Sequence, residues 1–272
     1  MYPYIEEAID VAIDHGLKVN LITNGLLLKE DRMRRWQGKV DLVGVSIDGM
    51  RTRHDRMRGR KGVFDKVIAK LELIRQSGIP FGLAHCVTPD SLGELPDILT
   101  LAINSGASLL QLHPLNQVGS ALGLLEPLSG DDLSRLYIIA KLMQLDCPSD
   151  FRIQLDLVPA SEELRYSWPV SENNNSLSSI ANPLVVREDG SMVPLNYSAG
   201  RSVQIAGCSK LWMSDIKHWK ASGQVEFQAT IAQTMHDVNC AGAPFIDWYD
   251  YFARASKGLG VERDLIPALG LD

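Results

Sequence analysis

The sequence predicts an α/β protein, with a parallel sheet and helical crossovers, followed by a smaller C-terminal α+β part. Three observations lead there. Helical stretches alternate with β-rich runs through residue 158, at a spacing of about 25 to 35 residues per unit. Several of these runs end in polar residues, as at Ser46-Ile-Asp-Gly49 and Gln111-Leu-His-Pro114. Past residue 158 the alternation stops, and Glu188-Asp189-Gly190 sits between two β-rich runs, a hairpin signal.

The elements follow in order. Tyr4 to His15 carries Ile5, Ala8, Ile9, Ala12 and Ile13 at helical spacing, and Gly16 stops it. Leu17 to Ile22 reads as a strand closed by the turn Thr23-Asn24-Gly25. Lys29 to Gln37 reads as a short helix and Val40 to Ser46 as a buried strand. An Arg-rich loop follows over 51–62. Val63 to Ser77 is a helix, with Phe64, Val67, Ile68, Leu71 and Ile74 on one face and Gly78 closing it. Pro80 to Val87 is a strand, Thr88-Pro89-Asp90 a turn, and Leu92 to Asn104 a helix with Pro96 in its first turn. Ala107 to His113 is a strand. Ser129 to Leu145 is a helix with Ser129 as N-cap and Asp131 and Asp132 in its first turn. Phe151 to Val158 is the last strand of the series.

The remainder is less regular. Ser171 to Ser179 is polar and low in complexity, so it reads as a loop. Pro183 to Arg187 and Met192 to Leu195 form the hairpin; Trp212 to Trp219 and Val225 to Val238 look helical. The aromatic cluster from Phe245 to Phe252 predicts a terminal helix. The expected domains are residues 1–160 and 161–272.

Composition narrows the class. The 272 residues are 45% apolar and 22% charged, ordinary for a soluble globular protein. A net charge of −6 argues against general nucleic-acid binding, although 51–61 is locally basic. No apolar run approaches the length of a membrane span, and the first residues are acidic where a signal peptide would have an apolar core. A cytoplasmic protein with neither a nucleic-acid nor a membrane partner is expected. The cysteines, Cys86, Cys147, Cys208 and Cys240, form no close pair. Metal and cluster sites usually contain at least one short Cys spacing, so mostly structural thiols are expected.

The strand ends carry the candidate chemistry, because in a parallel αβ barrel they converge on one mouth. A Ser or Thr there, such as Ser46, can hydrogen-bond a ribose or carboxylate. Asp48 can accept from hydroxyls or orient Arg58. Each also has a plain structural reading: Asn24-Gly25 as a turn, Asp48 as a loop anchor, His113 as a residue before a proline. No Gly-rich phosphate fingerprint, Walker motif or nucleophile elbow is present. An aldolase-like barrel would need a Schiff-base Lys at a strand end, and no strand here ends in Lys.

In order and spacing over residues 3 to 122, the runs LITNGLLL, VGVSIDG, HDRMRGRKGVFDKVIAKLELIRQSGIP, HCVTPDSLGELPDILTLAINSGA and LLQLHPLNQVGSA resemble the radical S-adenosylmethionine (SAM) enzymes. The resemblance is to the subgroup with a C-terminal SPASM or twitch-type extension, which includes peptide and cofactor maturases. It implies a partial (β/α)6 TIM-like barrel and, as cofactors, S-adenosylmethionine and a 4Fe-4S cluster. It also implies that Ser46 contacts the cosubstrate with Asp48 beside it, that Thr23 and Asn24 line the floor near the methionyl group, and that His113 and Leu115 approach the adenine. The implied substrate is a peptide, protein or small molecule, with Asp156, Asn196 and Tyr197 among residues able to face it. Arg58 and His54 are expected to order the loop onto the barrel mouth.

The chain departs from that family in a decisive place. The family's Cys-x3-Cys-x2-Cys cluster loop and its Gly-Gly-Glu-Pro segment do not occur. The barrel would therefore lack its first βα unit and second strand, and these cysteines cannot bind the cluster. Without the cluster the chain alone is expected to be inactive, because the cofactor carries the chemistry. In the hairpin Leu195 follows the proline of Val193-Pro194, where SPASM extensions usually place a cysteine, so an auxiliary cluster is not expected. Two readings stand: a portion of a complete radical SAM enzyme, or a shortened non-catalytic module that binds a peptide or partner protein. The Leu17–Ile22 strand is expected to leave an unpaired edge, with poor solubility or oligomerisation as the consequence.

Overall fold

The computed structural model describes residues 4–116, 125–160, 183–207 and 219–258. The polar run 171–179, most of the helix expected over 212–219, and Cys208 lie outside the described residues. The chain divides into two compact units, one ending at Leu157 and the other beginning at Val158.

The first unit is α/β. In chain order it contains α1 (Ile5–Asp14), β1 (Asn20–Thr23), α2 (Glu30–Trp36), β2 (Leu42–Ser46), α3 (Arg51–Met57), α4 (Val63–Ser77), β3 (Phe81–Val87), α5 (Leu95–Asn104), β4 (Leu109–Pro114), α6 (Gly130–Leu145) and β5 (Arg152–Leu155). The strands form one parallel sheet in the order β1-β2-β3-β4-β5. Spatial order that follows chain order is the progression of a TIM-like barrel; a doubly wound sheet reverses direction at a switch point.

Packing follows from the sequence periods. On α4, Val63, Phe64, Val67, Leu71 and Ile74 are buried at helical spacing. They meet Val43, Val45, Leu83, Leu110 and Leu112, all fully buried on one face of the sheet. Each such side chain contributes about 1.5 to 3 kcal/mol on leaving water. Ser129 caps α6 as expected, accepting from the Asp132 N–H while the Asp132 carboxylate accepts from the Ser129 N–H.

Four expectations are corrected. The stretch after Gly49 is not a continuous loop: residues 51–57 form α3, because Asp48, Asp55 and Glu94 supply partners for its Arg residues and for backbone N–H groups around it. The first strand begins at Asn20 rather than Leu17, which stays exposed. Pro89 to Glu94 is a 3₁₀ turn and α5 starts only at Leu95, because the Thr88–Ser91 capping box starts a helical turn at once. The expected strand 151–158 is two pieces. Arg152–Leu155 pairs with β4, whereas β6 (Val158–Pro159) pairs antiparallel with β10 (Phe245–Ile246) in the second unit.

That second unit holds a three-stranded antiparallel sheet of β7 (Leu184–Val186), β8 (Ser191–Pro194) and β9 (Ala206–Gly207), with the Asp-Gly turn at 189–190. Leu195 follows β8 with φ of 65°, a left-handed conformation unusual for a leucine. Its side chain is nonetheless buried beside Val193. Helices α7 (Gln224–Cys240) and α8 (Trp248–Ala255) pack through Phe227, whose ring lies 5.8 Å from Trp219 and 6.0 Å from Phe252. Among the described residues no disulfide joins Cys86, Cys147 and Cys240; Cys240 is exposed, with Sγ 3.6 Å from His236 Nε2.

Candidate functional site at the strand ends

Strand alternation gives the parallel sheet two unlike faces. The register pairs Val45 with Leu83, Leu83 with Leu110 and Leu110 with Ile153, and this face is apolar and covered by helices. The opposite face pairs Ser46 with Ala84, Ala84 with Gln111 and Gln111 with Gln154. It is small near its middle, at Gly44, Gly82 and Ala84. Toward the carboxyl ends of the strands it becomes polar, with Ser46, Cys86, His113 and, just past β5, Asp156.

His113 and Asp156 continue the β4–β5 register as cross-strand neighbours. The Asp156 carboxylate accepts from Gln111 Nε2 at 2.9 Å on one oxygen and from Gln154 Nε2 at 3.1 Å on the other. Burial pushes the His113 imidazole below its ordinary value, against the upward pull of Asp156 and Asp48. Its ring and the Ser46 hydroxyl make no hydrogen bond to a described residue.

Asp48 lies two residues beyond Ser46, on the same side of the chain by alternation. Arg58 grips it with a fork, Nε to Oδ2 at 2.5 Å and Nη2 to Oδ1 at 3.1 Å. The run His54-Asp55-Arg-Met-Arg58-Gly59 is thus an ordering device. His54 accepts from the Asp48 N–H at 3.1 Å, and Arg58 holds the carboxylate. Asp55 accepts from the N–H groups of Gly62 at 2.5 Å and Phe64 at 2.8 Å, capping α4 from outside it. Arg53 is buried, donating to Thr88 Oγ1 at 3.2 Å and lying 3.4 Å from Asp90.

The other residues expected at the site are placed differently. Thr23 sits in register with Val45, on the helix-covered face, and its Oγ1 accepts from the Gly25 N–H at 3.1 Å. Asn24 Oδ1 accepts from the Leu26 N–H at 3.2 Å. Both oxygens serve the turn. The Leu115 N–H bonds to the Val87 carbonyl at 2.9 Å, extending the β3–β4 ladder. In the second unit Asn196 accepts from the Ser198 N–H, and the Tyr197 hydroxyl donates to Glu188. Gln154 was not singled out by sequence reasoning, although the alternation Arg152, Gln154, Asp156 carries the signal. The nearness of His54 to Asp48 has no sequence period at all.

Comparison with known proteins bears on this geometry. Residues 1–102 match the Radical SAM superfamily. An AdoMet-dependent heme synthase of Methanosarcina barkeri is 34% identical over 107 residues, which cover 39% of this chain and 31% of the relative. The sporulation killing factor maturation protein SkfB of Bacillus subtilis is 30% identical over 118 residues, covering 43% and 28%. The chain therefore spans about a third or less of these curated relatives. Among solved structures, anSMEcpe with bound AdoMet superposes with a TM-score of 0.53 at 17% identity, covering 82% of this chain and 64% of that one. Streptococcus suis SuiB bound to its precursor peptide SuiA gives 0.51 at 12%, covering 70% and 45%. These two likenesses concern the fold. Ser46 and Asp48 lie within the matched residues and His113 beyond them, and all three fall on the polar side of the strand ends. Among the described residues no group of three or more His, Cys, Asp or Glu side chains could hold a metal ion, and no helix is long and apolar enough to cross a membrane.

Proposed function

We propose that this chain is the cosubstrate-facing and C-terminal portion of a radical SAM enzyme that modifies a peptide, protein or cofactor precursor. The observation that carries the reading is the sheet face opposite the apolar, helix-covered one. It is built of small residues and ends in Ser46, Asp48 and His113, and the first and last of these offer polar atoms without a hydrogen bond to a described residue. A polar ligand lying across β2 to β4 suits such a face, and two structures of similar fold hold AdoMet or a precursor peptide. Ser46 and His113 would bind and orient S-adenosylmethionine, with Asp48 beside them, held in place by the Arg58 fork. The second unit, with its β7–β8 hairpin, is read as a SPASM- or twitch-like extension, with Asp156 facing substrate from the first unit.

The family's iron–sulfur cluster supplies electrons for cleavage of S-adenosylmethionine when bound. The residues present do not fit that cluster: the sequence has no Cys-x3-Cys-x2-Cys, and Cys86, Cys147 and Cys240 lie on different elements. This chain by itself is accordingly read as inactive, with the cluster-bearing part of the barrel supplied elsewhere. Strand β1 is where such a part would add. Among the described residues it pairs with β2 alone, and its Ile22 is 65% exposed.

Anaerobic reconstitution with iron and sulfide, followed by an assay for 5′-deoxyadenosine, tests the reading. The expected results are no stoichiometric cluster, no cleavage, and weak S-adenosylmethionine binding that falls at least tenfold in Ser46→Leu. A stoichiometric, oxygen-sensitive cluster with turnover would refute the inactivity. Unchanged affinity in Ser46→Leu would refute the site. Peptide binding with no affinity for S-adenosylmethionine would favour a shortened, non-catalytic peptide-binding module.

A further inference from the structure

We propose that His54 and His85 are positioning residues that clamp the Ile47–Asp48 peptide between two neutral imidazoles, fixing Asp48 and its Arg58 partner at the end of β2. Asp48's service to cosubstrate binding rests on the function proposed above; the clamp itself does not.

The argument starts from the backbone. The Ile47 N–H still joins the sheet, bonding to the Ala84 carbonyl at 2.9 Å. The next carbonyl and N–H, those of the Ile47–Asp48 peptide, lie past the ladder in a buried setting, where an unpaired polar group is costly. His85 Nδ1 lies 2.7 Å from the Ile47 oxygen, and His54 Nδ1 accepts from the Asp48 N–H at 3.1 Å. One peptide plane is therefore held at both ends by imidazoles from different elements, β3 and α3. Glu94 extends the restraint by accepting from the Met50 N–H at 2.8 Å.

The partners dictate the tautomers. A carbonyl only accepts, so His85 carries its proton on Nδ1, leaving Nε2 to face the Ser91 hydroxyl at 3.1 Å. An N–H only donates, so His54 Nδ1 is bare and the proton sits on Nε2, which is buried without a partner among the described residues. Both rings are essentially inaccessible to solvent, at 1% for His54 and 0% for His85. Protonating His54 would set N–H against N–H and open the clamp.

Every neighbour of these rings matters for that proton. Around His54 stand Asp48, whose Oδ2 is 3.7 Å away, Asp55, Arg58, and the uncharged Phe64 ring of α4 at 5.9 Å. Burial lowers its pKa most; Asp48 and Asp55 oppose this and Arg58 adds to it. Around His85 stand Asp48, Glu94 and His113, and burial again dominates, downward. Both rings are thereby kept neutral at neutral pH.

The test is nitrogen NMR of labelled imidazoles across pH, with amide hydrogen exchange at Asp48, on the whole chain without ligand. The expected His54 is neutral with its proton on Nε2, titrating below the ordinary value of about 6.5. Asp48 amide protection is expected to disappear as His54 charges. It should fall at least tenfold in His54→Leu and survive in His54→Asn, whose Oδ1 can stand where Nδ1 was. A proton on Nδ1 of His54, a charged His54 at neutral pH, or equal Asp48 exchange in the native chain and His54→Leu would overturn the clamp. Should His54→Leu not fold, the native titration and His54→Asn decide alone. Absence of S-adenosylmethionine binding to the native chain would sink the cosubstrate reading while these signals still judged the clamp.

Discussion

Gly49→Ala should be among the most damaging single-atom-scale changes in the first unit. Gly49 has φ of 142°, a conformation that side chains rarely adopt. A Cβ there would lie 2.6 Å from Arg53 Cγ and 2.7 Å from Glu94 Oε2, and closer still to Arg53 Cδ. The backbone strain costs about 1 to 3 kcal/mol. Displacing the buried Arg53 from Thr88 adds about 1 to 3 kcal/mol through an unsatisfied charged donor. The sum is about 2 to 6 kcal/mol. With a urea m-value of about 2 kcal/mol/M, a mid-range loss of about 4 kcal/mol should lower the midpoint by roughly 2 M at unchanged slope. Gly59→Ala is the control: φ there is 63° but nothing lies within 4 Å, so only the backbone cost of about 1 to 2 kcal/mol remains. Urea titrations followed by circular dichroism compare them. Equal midpoints for the two variants, or a Gly49→Ala loss under about 0.5 kcal/mol, would refute the packing argument.

Other outcomes follow from the same geometry. Phe227→Ala, at the junction of Trp219 and Phe252, should destabilise the second unit by about 3 to 5 kcal/mol, read as a lower thermal midpoint. The Glu188 carboxylate beside the Tyr197 hydroxyl pushes that phenol up to about 12, and ultraviolet titration should register it. Because the folded value is raised, the contact stabilises below the ordinary phenol range of about 10 and is lost as pH climbs toward the folded value; Glu188→Gln should return the titration toward about 10. Backbone N–H groups of Phe64 and Gly62 hold the Asp55 carboxyl below the usual carboxylate range. Its stabilisation is present above about pH 4 and lost as pH falls through the folded value, which carbon NMR of the carboxyl can follow.

Much of the architecture was legible from the chain. Helix α4 was readable to the residue because Val67, Leu71 and Ile74 recur at helical spacing and Gly78 closes it. The hairpin was readable because Asp189-Gly190 marks a turn whatever surrounds it. Helix α3 was missed because its support is not local. Glu94 reaches Met50 across 44 residues, and the charges of 51–58 look like a solvated loop until Asp48, Asp55, Asp90 and Glu94 are brought beside them. Likewise Thr23 and Ser46 both looked like strand-end hydroxyls. The register with Val45 and Ala84 then put them on opposite faces.

The sequence by itself determined the order of helices and strands, the end of the αβ alternation near residue 158, the superfamily resemblance and the absence of the cluster's cysteine triad. Those depend on local periods and residue identity, which a chain carries without folding. Only the tertiary structure decided which polar groups share a face and what each one's hydrogen bonds are already spent on. It alone brought His54 and His85 to the two ends of one peptide unit, because hydrogen-bond partners 6 and 38 residues apart are set by how the strands and helices pack.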